Sequence, residues 1–120
     1  MAVDRSLWVH VVVLLGVAAV AATAQAEPAA ARQKELVNMV RQDCGSCHGL
    51  TLQGGLGPAL LPSDLKGKPA ESLVATVMMG RPGTAMPGWA PFMSEQEAEW
   101  IVARLMQGFP PVAQQLESSK

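Results

Sequence analysis

Cys44-Gly-Ser-Cys47-His48 contains both cysteines of the 120-residue chain and, directly after the second one, one of its two histidines. Thiols at this spacing can each form a thioether bond with one vinyl group of a haem, and the adjoining imidazole then lies under the iron. The C-x-x-C-H pattern is the attachment signature of covalently bound haem. It predicts one haem c bonded to Cys44 and Cys47, with His48 as an iron ligand.

Other uses of paired cysteines fit this chain less well. A zinc site needs four ligands, and beyond the motif the chain has no cysteine and only His10 as a histidine. A thioredoxin-like pair belongs to a strand–helix–strand pattern, which this sequence lacks. A disulfide between Cys44 and Cys47 would give no reason for His48.

Residues 1–26 have the pattern of an export signal peptide. An almost unbroken apolar run from Leu7 to Ala22 follows Arg5, and small residues lead up to Ala26, after which we expect cleavage. The run is shorter than the roughly 20 apolar residues of a membrane span. We therefore expect export to the periplasm and no stable membrane anchor.

The rest of the chain is expected to form one small domain over residues 27–109, followed by a polar tail over residues 110–120. A domain of this size buries only a modest core, and the chain has few aromatic residues to fill one. A large apolar cofactor would supply the missing volume. The formal net charge of −1 and the lack of a basic cluster exclude nucleic acid as a partner.

The first of three predicted helices covers residues 30–43. Apolar side chains such as Leu36 and Val40 recur at helical spacing, while Arg32 and Arg41 are expected on the exposed side. The helix would run directly into the cysteine motif. It would therefore direct the two thiols towards the haem edge.

Two further helices follow, and no strand is predicted. Residues 49–68 are rich in glycine and proline and are expected to be loop. The second helix is predicted from Pro69 to Met79, with a glycine as its stop. The last begins at a capping box formed by Ser94 and Glu97 and ends at Gly108, and its acidic first turn is expected to be solvated.

The second iron ligand is predicted to be a methionine, because His48 is the only histidine beyond the signal segment. Most methionines fall within predicted helices, where core packing is their usual role. Met86 instead lies in a loop, and Pro87 restricts it to extended conformations. The pattern favours Met86, with Met79 and Met93 as alternatives.

Together these features resemble a class I cytochrome c over about residues 30–108. The shared pattern is a helix, C-x-x-C-H, Gly57-Pro58-Ala59-Leu60, a helix, Met86-Pro87 and a closing helix. The resemblance implies an all-α class I cytochrome c fold, in which three to four helices with long loops wrap around one haem and the first and last helices cross. It also implies that the carbonyl of Pro58 accepts the Nδ1–H of His48.

One position departs from the family pattern. Many relatives carry an aromatic residue in the closing helix near the place of Arg104, whereas here the nearest aromatic is Trp100, one turn earlier. Trp100 falls off the apolar stripe. The sequence leaves open whether it packs on the first helix or faces a partner.

At finer grain, the short Met86-Pro-Gly-Trp89 loop and the chain length resemble the small NirC-type cytochromes (cytochrome c55X) of denitrification. The resemblance implies a periplasmic monohaem electron carrier and not an enzyme. Its partners would be periplasmic redox proteins, such as cytochrome cd1 nitrite reductase or its haem d1 maturation system. Two alternatives stay open: a haem-based ligand sensor, and a nitrite reductase assembly factor in which redox activity is secondary.

The expected route for electrons is the exposed haem edge, with Cys47, Ala85 and Trp89 around it. Between residues 65 and 93 the charges are mostly positive: Lys66, Lys68 and Arg81 against Glu71. These cations either steer an acidic partner or are scattered solubilising charges.

Overall fold

The computed structural model describes residues 26–111, so all but the last residue of the predicted signal peptide and most of the predicted polar tail lie outside the described residues. Helices account for the regular structure between these limits, and no strand occurs there. The elements in chain order are α1 (Ala30–Met39), a π-helical turn (Val40–Cys44), α2 (Gly45–His48), α3 (Pro62–Leu65), α4 (Ala70–Met79) and α5 (Glu95–Gln107). The predicted all-α fold is confirmed.

Helix α1 begins where the sequence predicted it, but the chain changes to π-helical geometry at Val40 and returns to α-helical geometry at Gly45. A π-helical turn contains more residues than an α-helical turn. The side chains that follow it therefore point in other directions than a 3.6-residue period predicts. Arg41, expected on the exposed side, is only 8 % exposed. That expectation was wrong.

The predicted loop over residues 49–68 contains the short helix α3, so the sequence assignment was wrong there. Pro62, one of the prolines that indicated a loop, lies in the first turn of α3. A proline fits this position because its missing N–H has no intrahelical partner to lose. Leu65, at the end of the turn, is buried in the core.

Helices α4 and α5 end as predicted, each at a glycine in a conformation with positive φ: Gly80 at 70° and Gly108 at 108°. Helix α4 starts one residue later than predicted, because Pro69 is its N-cap. The predicted capping box of α5 is confirmed. The Ser94 hydroxyl accepts the N–H of Glu97 at 3.2 Å, and the Glu97 carboxylate accepts the N–H of Ser94 at 2.8 Å.

Helix α5 is the centre of the packing, since it contacts α1, α3 and α4. Its apolar face is buried: Ala98, Ile101, Val102 and Leu105. Leu36 of α1 and Val40 are fully buried in the same cluster. No helix within residues 26–111 combines the length and the apolarity that crossing a bilayer requires.

An ion pair joins α1 to the first turn of α5. The Arg32 guanidinium donates to both carboxylate oxygens of Glu97, at 2.6 and 3.2 Å, and also to the carbonyl of Phe92 and the carboxylate of Glu35. The Glu97 carboxylate is 18 % exposed. The expectation of a solvated acidic first turn is therefore wrong for Glu97, and Arg32 is half-buried rather than free on the wet side.

Trp100 is half-buried and packs against the apolar cluster. The Arg104 guanidinium carbon lies 5.1 Å from the centroid of its ring. Within the described residues the indole Nε1 is buried without a hydrogen-bond partner. Its ring therefore belongs to the packing of the domain.

Candidate functional site

The cysteine motif is built on continuous helical backbone. Cys44 ends the π-helical turn with α-helical dihedral angles, and Cys47 and His48 follow in α2. Residues at positions i, i+3 and i+4 share one face of a helix. All three side chains therefore lie on the same side of the chain.

Both cysteines are partly buried and form no disulfide with each other. Burial, and to a lesser extent the nearby Asp43 carboxylate, raises the pKa of the Cys44 thiol to about 11. A thiol with this pKa is protonated at neutral pH.

The orientation of the His48 ring is set by the loop that follows the motif. The ring Nδ1 lies 2.7 Å from the carbonyl oxygen of Pro58, the contact that the family resemblance implies. Because a carbonyl only accepts, Nδ1 carries the proton and Nε2 keeps a free lone pair. Such a bond fixes the imidazole and raises its basicity as a metal ligand.

The same loop leaves room for the ring only because residue 57 has no side chain. A Cβ added at Gly57 would lie 2.8 Å from Cε1 and 2.9 Å from Nδ1 of His48. Loop N–H groups also bind carbonyls that the short helix α2 leaves unpaired. The Gly57 N–H donates to the backbone carbonyl of Cys47 at 2.8 Å, and the Gly54 N–H donates to the backbone carbonyl of His48 at 2.7 Å.

A second loop carries Met86 and is fixed to the C-terminal end of α4. The N–H groups of Trp89 and Ala90 donate to the carbonyls of Val77 and Met78, at 3.0 and 3.2 Å. A Cβ on Gly88 would lie 2.8 Å from the Met78 carbonyl oxygen, so the close approach needs glycine. Met86 is thereby placed by backbone contacts.

These parts enclose a cavity of about 840 Å³ with mostly apolar walls. All six residues singled out from the sequence line it: Cys44, Cys47, His48, Pro58, Met86 and Trp89. Of the alternative methionines, Met93 lines the cavity and is 6 % exposed, whereas Met79 is 78 % exposed and is not part of the wall.

Sequence reasoning missed part of the wall. Helix α4 contributes Ser72 and Thr76, whose four-residue spacing is a signal that could have placed them on one helix face beside Leu73, which the sequence predicted to be buried. The turn before Met86 contributes Thr84, which the sequence did not indicate, together with Arg81. Lys68 also lines the cavity, so two of the three cations considered from the sequence lie in its wall. The apolar residues Ile101, Val102 and Leu105 of α5, predicted as core, also line the cavity.

The residues present fit a covalently attached haem. The cavity lies within the roughly 300–1,000 Å³ of cofactor pockets, and its walls are apolar apart from a few polar groups. The Cys44 and Cys47 thiols and the His48 imidazole lie on one helical face. Met86, which carries a thioether, lines the same cavity from a separate loop. Thiol, imidazole and thioether are the groups that haem c uses for attachment and ligation.

Comparison with known proteins gives the same assignment. A sequence profile of the family described as "Cytochrome C oxidase, cbb3-type, subunit III" matches residues 28–103. Cytochrome c55X of Pseudomonas aeruginosa is 61 % identical over 85 residues, which are 71 % of each chain. Cytochrome c55X of Stutzerimonas stutzeri is 58 % identical over 85 residues, covering 71 % of this chain and 75 % of the relative.

Two solved structures extend the likeness to three dimensions. The c-type cytochrome NirC is 61 % identical with a TM-score of 0.67, and the match covers 68 % of this chain and 96 % of that one. Part of the dihydro-haem d1 dehydrogenase NirN, 16 % of its chain, matches 62 % of this chain with 36 % identity and a TM-score of 0.56. The chain belongs to the cytochrome c family and, within it, to the NirC-type cytochromes c, also called cytochrome c55X.

Proposed function

We propose that this protein is a periplasmic monohaem electron carrier of denitrification. Cys44 and Cys47 bond the haem, and His48 and Met86 hold its iron. The observation that carries the proposal is that Cys44, Cys47, His48 and Met86 line one cavity. The His48 ring is held there by the hydrogen bond between its Nδ1 and the Pro58 carbonyl. When bound, haem c supplies a one-electron couple between ferric and ferrous iron.

The chain's own residues would make that couple fast and reversible. Pro58 holds the His48 ring in one orientation, and the Met86 loop is anchored to α4 by backbone hydrogen bonds. Ligands fixed in this way need little movement when the charge changes. Thioether ligation and apolar walls both favour a raised reduction potential.

Two protein ligands on the iron would leave no coordination site for a substrate. A small molecule such as nitrite or oxygen would have to displace Met86, whose loop is bound at both ends. The proposal is therefore a carrier and not an enzyme. The same argument disfavours the ligand sensor.

The relatives suggest where the electrons go. This chain resembles a part of dihydro-haem d1 dehydrogenase from P. aeruginosa at 41 % identity over 73 residues. An enzyme so named removes electrons from its substrate and needs an acceptor for them. We place this protein in the same redox chain, as acceptor in haem d1 maturation or as donor to cytochrome cd1 nitrite reductase.

The mouth of the cavity is the proposed contact surface. Cys47, Ala85 and Trp89 all line the cavity, as the expected route through the haem edge requires. Lys68 and Arg81 line it too, but so do Asp43 and Asp64, which the count of charges in the sequence left out. The local charge is balanced, so steering by charge is expected to be weak.

Anaerobic stopped-flow mixing tests the proposal. The reduced holoprotein is mixed with cytochrome cd1 nitrite reductase, and the oxidised holoprotein with dihydro-haem d1 dehydrogenase and its substrate. We expect complete, single-turnover electron transfer with at least one of the two, with rates that fall less than tenfold between low and physiological ionic strength. Absence of transfer with both proteins would contradict the proposed place in denitrification.

A further inference from the structure

Arg32 of α1 binds two different parts of the chain at once. Its guanidinium donates to both carboxylate oxygens of Glu97, in the first turn of α5, at 2.6 and 3.2 Å. Its Nη2 also donates to the backbone carbonyl of Phe92 at 3.0 Å. Phe92 belongs to neither helix but to the segment over residues 80–94, which carries Met86. Arg32 therefore joins α1 to this methionine segment as well as to α5.

The Phe92 carbonyl is part of a turn whose neighbouring side chains line the cavity. The N–H groups of Phe92 and Met93 both donate to the Trp89 carbonyl, at 2.9 and 3.2 Å. The side chains of Trp89 and Met93 line the cavity, and the Phe92 ring lies against the Trp89 ring with centroids 5.7 Å apart. Trp89 follows Met86 by three residues. A displacement of this turn would therefore be passed to the backbone that carries Met86.

The Phe92 carbonyl lies where water competes for it, since Phe92 is 62 % exposed. Earlier in the segment the backbone is fixed on α4, with the Trp89 N–H donating to the Val77 carbonyl at 3.0 Å. A guanidinium that Glu97 already holds in place competes well with water, because its hydrogen bonds are charge-assisted and little side-chain freedom is left to lose. Arg32 is therefore suited to fix the exposed part of the turn.

We propose that Arg32 is a positioning residue for Met86. By binding the Phe92 carbonyl from a guanidinium fixed on Glu97, it holds the methionine segment in the arrangement in which Met86 reaches the iron. The inference rests on the proposed haem site. Arg32 does not line the cavity, so it acts through the turn over residues 89–93. The strength of the bond between Met86 and the iron therefore depends on a contact at the interface of α1 and α5.

Binding of added imidazole to the ferric holoprotein tests this role. An imidazole molecule can bind the iron only after Met86 has left it, so its apparent affinity reports how firmly the segment holds the methionine. Arg32→Gln should raise this affinity by about three- to tenfold at neutral pH, since a charge-assisted hydrogen bond to the segment is lost. The matched control is Glu35→Gln, which removes an exposed partner of Arg32 and leaves its contacts with Glu97 and Phe92 in place. Its imidazole affinity should equal that of the unmodified protein.

A second control separates positioning from a general loss of stability. Trp100→Leu removes packing from a half-buried ring that does not line the cavity, so it should lower the Tm without changing the imidazole affinity. The positioning role is wrong if Arg32→Gln leaves the affinity unchanged, or if Trp100→Leu raises it as much for the same fall in Tm. Absence of an iron-bound methionine signal from the NMR spectrum of the unmodified holoprotein would instead overturn the proposed ligation, so the two failures are distinguishable.

Discussion

The position of the His48 ring depends on the absence of a side chain at Gly57. The space for a Cβ at residue 57 is taken by the imidazole, with Cε1 at 2.8 Å and Nδ1 at 2.9 Å. The backbone of Gly57 does not need glycine for its dihedral angles, since its φ is not positive. The constraint is therefore steric and acts on the proposed iron ligand alone.

Gly57→Ala should push the imidazole out of its hydrogen bond with Pro58. We expect a loss of about 1–3 kcal/mol in the free energy of unfolding and a larger high-spin fraction in the absorption spectrum. Gly45→Ala is the matched control, because a Cβ there meets Leu50 at an ordinary 3.4 Å on helical backbone. Equal spectra for the two variants would contradict the steric argument.

Arg41 is the clearest residue whose role the sequence does not reveal. Its guanidinium donates to the carbonyls of Leu50 and Pro110 and lies 5.0 Å from the centroid of the Phe109 ring. Burial lowers its pKa. The helical period does not indicate that Arg41 joins the loop at Leu50 to the segment at Pro110. The contact with Pro110 is distant in sequence, so no local pattern marks it.

Arg41→Met should destabilise the protein by about 1–3 kcal/mol, since two partly buried backbone carbonyls lose their charged donor. Arg41→Lys should recover only part of this loss, because an ammonium lacks the planar fork. The comparison variant Arg104→Met removes a more exposed cation and should cost less than about 1 kcal/mol. Denaturant unfolding of the holoproteins measures the free energy of unfolding for all three variants. If Arg41→Met leaves that free energy unchanged, the stabilising role of the Arg41 contacts is wrong.

At the scale of elements, the contact between α1 and α5 depends on protonation. The hydrogen bond from Arg32 holds the pKa of Glu97 below its usual value, with the Ser94 backbone N–H as a further cause. A lowered folded-state pKa means that the contribution to stability is complete above the unfolded pKa. It is lost as the pH falls through the folded pKa.

Glu97→Gln separates this charge from the capping box, because glutamine also serves at that position. The variant should have a lower Tm than the unmodified protein at neutral pH, and the difference should shrink as the pH falls below about 4. Glu95→Gln, on the same helical turn but in no ion pair within the described residues, should show no such dependence. A Tm difference that is constant with pH would contradict the assignment of Glu97.

Helices were predictable where a local signal marks their ends. The Ser94 capping box and the glycines after α4 and α5 are such signals, and these boundaries were predicted to within one residue. The π-helical turn over Val40–Cys44 has no signal of this kind, since its geometry depends on packing around the motif. The short helix α3 was missed because a proline can either end a helix or begin one.

On the scale of the whole molecule, the fold surrounds its cavity. Helix α5 presents Ile101, Val102 and Leu105 both to the small apolar core and to the cavity wall. The sequence predicted this organisation from a motif and a shortage of aromatic residues. It indicated Lys68 and Arg81 as cations near the expected haem edge, but it gave no sign of Ser72, Thr76 or Thr84, because their place in the wall depends on how α4 and the Met86 loop pack.

The most direct test of the account is the absorption spectrum of the exported holoprotein. Ligation by His48 and Met86 predicts a low-spin ferric spectrum with the long-wavelength charge-transfer band of a thioether ligand, and a ferrous form that does not bind added CO. Met86→Leu should lose the band and bind CO. A high-spin ferric spectrum in the unmodified protein, with immediate CO binding on reduction, would contradict the account.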